Sequence, residues 1–186
     1  MKKALYFILV VLAMGVSSCS KPSPYVYRGF PKEYTSAWVE EYGQCYDSVP
    51  YNVFALDLYS GELALDSTHH MKGTGYNLYI SDIFMEETAL QVGTYHSLRT
   101  TEPEPYSFLK GKDYEGYPHG IYLLQVENNN ISGIQVFDSG QFVLRDTTNG
   151  LIDLQFTLYY TNKSIYGGKA TYTTHFQGEL QPWSKK

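Results

Sequence analysis

Tyrosine offers the most chemistry in this chain, with 19 among 186 residues. A phenol ring lays its face on the C–H face of a sugar while its hydroxyl hydrogen-bonds, and the same amphipathic ring suits a half-buried β-sheet surface. The segment 101–120, "TEPEPYSFLKGKDYEGYPHG", is dense in rings and has no period. It holds Tyr106, Phe108, Tyr114, Tyr117 and His119. Such a segment either packs down as a lid or presents its rings to a ligand, since an exposed aromatic patch is costly unless used. If rings are presented, Tyr114 and Tyr117 are the expected ligand-binding residues. The glycines and proline around them favour a projecting loop.

Other reactive side chains lack a catalytic spacing. The acid pairs Glu40-Glu41 and Glu86-Glu87 cannot by themselves set the separation that two glycosidase carboxylates require. His69 and His70, with Asp66 nearby, reach one ion only from a loop, because neighbours on a strand face opposite ways. No H-x-x-x-H, H-E-x-x-H or cysteine pair supplies the missing ligands. Cys45 carries no thiol-protease signature and reads as a buried, inert thiol. Neither a G-x-S-x-G elbow nor a phosphate-cradling glycine loop is present. No catalytic residue, metal or cofactor is therefore expected. An enzyme would need a site assembled from residues distant in sequence.

The N-terminus has a different chemistry. Met1-Lys2-Lys3 precedes the apolar run "ALYFILVVLAMGV", the anatomy of a secretory signal. The run is shorter than the roughly 20 residues a spanning helix needs. It ends in Val16-Ser17-Ser18-Cys19, which resembles the bacterial lipobox. That likeness implies acylation of Cys19, removal of residues 1–18, and anchoring of the chain to a membrane through its lipid. Ser20, not Asp, follows the cysteine; by likeness to Gram-negative sorting this implies the outer membrane. Residues 19–35 carry Pro22, Pro24 and Pro31 and read as an extended tether.

What remains, 36–186, has the length of one domain with a core of its own. Cleavage leaves 12 Lys and Arg against 19 Asp and Glu, a net charge of −7. That balance argues against a nucleic-acid partner, and no basic cluster appears along the sequence. Alternation of period two dominates. Ile152, Leu154, Phe156 and Leu158 share one face of "LIDLQFTLYY", as do Phe54, Leu56 and Leu58 in "YNVFALDLYS" and Tyr172, Thr174 and Phe176 in "KATYTTHFQGEL". Each reads as a half-buried strand. Asn149-Gly150 and Asp138-Ser139-Gly140 read as hairpin turns, giving an antiparallel meander over 121–180. The segment "TSAWVEEYG" fits a capped helix or a short strand. The pattern predicts an all-β fold: an antiparallel β-sandwich or flattened barrel of about 8–10 strands, with a closed calycin-like barrel as the alternative.

The lipobox, the segment "GTGYNLYISDIF…ALQVGTYHS", the "SGIQVF" strand and the closing Tyr172, Phe176, Gly178 and Leu180 together resemble uncharacterised lipoproteins of Bacteroides and relatives. The likeness covers most of the mature chain. It implies an all-β fold and no particular chemistry, with Gly93 and Gly178 as turn or bulge glycines. The expected function is a non-catalytic cell-envelope lipoprotein that engages a glycan, a peptide or an envelope protein. The alternatives are a hydrolase acting on envelope or dietary polymers, and a structural pilus-associated subunit that exchanges edge strands.

Overall fold

The structure is a computed structural model that describes residues 29–68, 70–147, 149–162 and 167–183. Cys19 and the signal segment lie outside the described residues. In chain order the strands are β1 (Ser36–Gly43), β2 (Asn52–Gly61), β3 (Ala64–Leu65), β4 (Met71–Lys72), β5 (Gly75–Met85), β6 (Gly93–Ser97), β7 (Ser107–Phe108) and β8 (Lys112–Tyr114). They continue with β9 (Tyr117–His119), β10 (Ile121–Glu127), β11 (Asn130–Val136), β12 (Ser139–Asp146), β13 (Ile152–Asn162), β14 (Gly168–Gly178) and β15 (Leu180–Pro182). The fold is all-β. Nine of these strands have five residues or more, and six have two or three.

Eleven strands form one mixed sheet in the order β14-β13-β12-β6-β7-β5-β2-β1-β15, with β10 branching from β5 and β11 pairing with β10. Most pairs are antiparallel; β1 with β15 and β6 with β7 are parallel. The sheet folds over itself in the manner of a sandwich. Phe54, Leu56 and Leu58 of β2 and Leu78 and Ile80 of β5 share one core with Phe142, Leu154, Phe156, Leu158 and Phe176 of the other half. Ile152 packs at the margin of that core. Among the described residues the order is open and no ring of strands closes, so the closed-barrel alternative is not the fold. Besides the continuous pairing through β7 and the shared core, an isolated bridge from Glu33 to His175 links the two halves.

That seam ties down residues assigned to the tether. The Tyr34 N–H donates to the His175 carbonyl at 3.1 Å. The Tyr172 hydroxyl donates to the Pro31 carbonyl at 2.7 Å and the Thr174 hydroxyl to the Lys32 carbonyl at 2.9 Å. The Phe30 ring lies against Tyr160 and Tyr172, with centroids 5.2 and 4.7 Å away. Residues 30–34 are thus part of the folded domain.

Several local readings change. "TSAWVEEYG" is the strand β1, because Ala37 faces the core and the whole segment pairs with β2. The meander breaks between β11 and β12. Asp138-Ser139-Gly140 is not a hairpin turn, because Phe137 just before it is driven into the core and carries the chain from one half of the sheet to the other. Asn149-Gly150 does join the paired strands β12 and β13. Gly93 and Gly178 are neither turn nor bulge glycines: each leaves room for an aromatic ring, Tyr106 over Gly93 and Phe176 over Gly178, within 2.8 Å of where a Cβ would stand. The central strand β2 is covered on both faces, with Val53 and Ala55 as buried as Phe54 and Leu56.

Leu154→Ala should cost about 2–5 kcal/mol in chemical denaturation, the range for a core leucine whose cavity relaxes only in part. A loss under about 1 kcal/mol would mean that Leu154 is not packed in the shared core.

Candidate functional site

The strand registers place Trp38, Asp57, Tyr79 and Tyr122 in one row across β1, β2, β5 and β10. Alternation turns this row away from the main core. A second apolar cluster covers one end of this outer face. It comprises Tyr59, Leu63, Leu124 and Val126, with Leu65 and Met71 of the β3–β4 hairpin against it. At the other end Val53, Phe84 and Leu98 pack with Leu109. The middle is left as an open cleft of about 300 Å³.

Two bulges shape that cleft. On β5, Ile80 pairs with Leu56 and Ile83 with Phe54, so Ser81 and Asp82 together oppose Ala55. On β1, Glu41 pairs with Phe54 and Gly43 with Val53, so Tyr42 is the extra residue. Such insertions bend a strand and re-aim its side chains. Asp82 adopts φ 52°, a left-handed conformation that a short polar side chain tolerates. Its carboxylate accepts from the Tyr46 hydroxyl and, at 2.7 Å, from the Ser81 hydroxyl. Tyr42, Tyr46, Tyr79 and Tyr122 line the cleft, together with Ser81, Asp82 and His119.

Its electrostatics follow from burial among rings. Asp57 loses much of its water, and its carboxyl is pushed up from 3.8 to about 6. Hydrogen bonds from Asn77 and Tyr59 pull the other way, and the Glu40 charge adds to the rise. The Asn77 amide reaches the Asp57 carboxylate at 2.7 Å. Burial also raises Tyr42, to about 12, with the Tyr42 hydroxyl donating to Glu40 at 2.6 Å. Tyr79 and Tyr122 are raised by the same loss of water, and Tyr46 first by its bond to Asp82. The cleft therefore presents neutral phenol donors beside carboxylate acceptors at physiological pH.

The segment 101–120 is more ordered than its lack of period suggests. β7 joins the main sheet, with Phe108 fully buried. β8 and β9 form a hairpin whose turn residues Glu115 and Gly116 both have positive φ, 55° and 95°, as a two-residue hairpin of this twist requires. Gly120 anchors its base at φ 71°, where a Cβ would collide with the Lys110 carbonyl. Tyr114 and Tyr117 sit on this hairpin at 49% and 74% exposure. Tyr114 lines a second cleft, of about 490 Å³, on which His119 also borders. Tyr117 lines neither cleft.

The other candidates separate. Cys45 is exposed on the rim of the first cleft, in the loop after β1, where no apolar side chains cover it; the reading as a buried thiol is corrected. Glu40 approaches Asp57, whereas Glu86 and Glu87 offer their carbonyls to the Asn52 amide. His70 bonds to Thr68 at 2.9 Å, and His69 lies outside the described residues. Among the described residues no group of three His, Cys, Asp or Glu could hold a metal ion. Sequence reasoning missed Asp57, Tyr79 and Tyr122, which only strand register aligns. The signal for Ser81 and Asp82 was present: Ile80 and Ile83 are three apart in a strand that otherwise alternates.

The raised Asp57 pKa has a signed consequence. Between pH 3.8 and about 6 the folded chain binds more proton at this group than the unfolded chain. The stability of the protonated form is complete at the acidic end and is lost as pH rises through the folded value. Asp57→Asn should therefore match the native protein near pH 4 and exceed it at neutral pH, by on the order of 2 kcal/mol. Thermal melts of both proteins across that range check this; parallel curves would contradict it. No family model matches the chain, and no curated protein or solved structure is significantly similar to it.

Proposed function

We propose that this chain is a cell-envelope lipoprotein, anchored through Cys19, whose β-domain binds a glycan in the cleft beside the β5 bulge without transforming it. One observation carries the reading: four tyrosines converge on an open cleft that also holds the Ser81 hydroxyl and the Asp82 carboxylate. Ring faces suit the C–H faces of sugars, and carboxylates and phenols suit their hydroxyls. A volume of about 300 Å³ stands at the small end of ligand pockets and fits a short glycan. Tyr42 and Tyr46 are exposed at its rim, and the neighbouring β8–β9 hairpin contributes Pro118 and His119 to its lining.

A glycan array probed with the domain, followed by calorimetry on its best ligand, tests this. Tyr42→Ala and Tyr46→Ala should each weaken binding about tenfold, the worth of one aromatic contact at its upper range, while melting temperatures stay near the native value. Absence of any array ligand would overturn the reading. Appearance of new reducing ends during incubation would show a hydrolase in its place. Anchoring is tested separately. Cys19→Ala should abolish labelling by a fatty-acid analogue and release the protein from membranes, because acyl chains are the proposed attachment. Equal labelling of the variant would remove the lipoprotein reading.

A further inference from the structure

Three cations of this acidic chain line one cleft beside the β8–β9 hairpin. Seven lysines and arginines stand among the described residues, and three of them, Arg99, Lys110 and Lys112, line the second cleft with His119. Lys110 and Lys112 stand one residue apart in sequence, and the fold brings Arg99 to them from the loop after β6. Lys72 and Arg145 elsewhere are neutralised by Asp66 and Asp153 at 2.9 and 3.4 Å. No ion pair of that kind is found for the three cleft cations among the described residues. No Asp or Glu lines the cleft; the Asp113 carboxylate accepts from the Gly116 N–H at 2.8 Å, and Glu104 pairs with His96 at 2.9 Å.

Tyr114 braces this arrangement. The Lys112 ammonium stands 4.4 Å from its ring centroid, and the His119 ring meets it edge-on at 5.2 Å. Cations held close together repel one another, and an anion seated among them relieves that repulsion. The half-buried Leu109 lines the cleft beside the cationic rim as an apolar surface, with Leu98 buried behind the lining. Thr100 and Thr101 add hydroxyls.

We propose that this cleft binds an amphiphilic organic anion: a carboxylate, phosphate or sulfate group carried on an apolar chain or ring. The anionic group is held by Arg99, Lys110 and Lys112, and the apolar body lies on Leu109. Tyr114 acts as a positioning residue for Lys112. The site is separate from the tyrosine cleft apart from their common border at His119, and it does not depend on glycan binding there.

The probe is 8-anilinonaphthalene-1-sulfonate, titrated into the domain while near-UV circular dichroism verifies native packing, since this dye also lights up molten states. The expected result is saturable fluorescence that weakens with salt and is displaced by dodecyl phosphate but not by dodecyl maltoside. The pair Arg99→Gln and Lys110→Gln, and Lys112→Gln alone, should each lower affinity by about tenfold or more, the worth of a hydrogen bond to a charged group. Vesicles of phosphatidylglycerol separate two sources: co-sedimentation with them assigns the anion to a lipid surface, and displacement by monomeric dodecyl phosphate alone assigns it to a free ligand. Failure of the dye to saturate, equal displacement by the maltoside, or unchanged affinity in all variants would overturn the proposal.

Discussion

The arrangement of this protein depends on one extra residue in β5. At Ser81-Asp82 the strand carries two residues where β2 has only Ala55. N-terminal to that point β5 pairs with β10; C-terminal to it, with β7. The sheet therefore forks at the bulge. One branch runs to β11, and the other runs through β6, β12 and β13 to β14. Gly120 closes the fork, exchanging backbone and side-chain hydrogen bonds with Ser81 at 3.1 and 3.2 Å. The insertion also resets the side-chain phase. Leu78 and Ile80 face the core before it, Ile83 and Met85 after it, and an unbroken alternation would have sent the second pair to the outer face.

The same insertion opens the outer face. Regular pairing would have continued a closed surface across β2 and β5; here β5 bends away, and the β8–β9 hairpin, tied at Gly120, lies beside the gap. Charge is distributed around that hairpin with opposite signs. Asp82 lines the tyrosine cleft, with Glu40 and Asp57 close to its tyrosines. Arg99, Lys110 and Lys112 line the cleft on the other side. An overall acidic chain thus carries a local cationic site, in which the fold adds Arg99 to Lys110 and Lys112.

The main core was legible because it obeys period two. Leu154, Phe156, Leu158 and Phe176 could be assigned to one interior from spacing alone. What spacing could not convey was where the phase slips and which strands lie side by side. Asp57, Tyr79 and Tyr122 are 22 and 43 residues apart along the chain and adjacent only through register. The hairpin at Glu115-Gly116 was hidden because its strands are three residues long, too short for a period to register. Cys45 illustrates the opposite error: residue type favours burial, but its position after Gly43 in an exposed loop overrides that preference. Tyr114 and Tyr117 project as glycine and proline suggested, yet Tyr114 also braces Lys112.

The most direct measurement is the amide NMR spectrum of the isotopically labelled domain, recorded with and without the best glycan-array ligand. The account predicts saturable shifts centred on Ser81 and Asp82, reaching Tyr42, Tyr46, Tyr79 and Tyr122, with β13 and β14 unaffected. Shifts centred on β13 and β14, with the bulge unchanged, would contradict it.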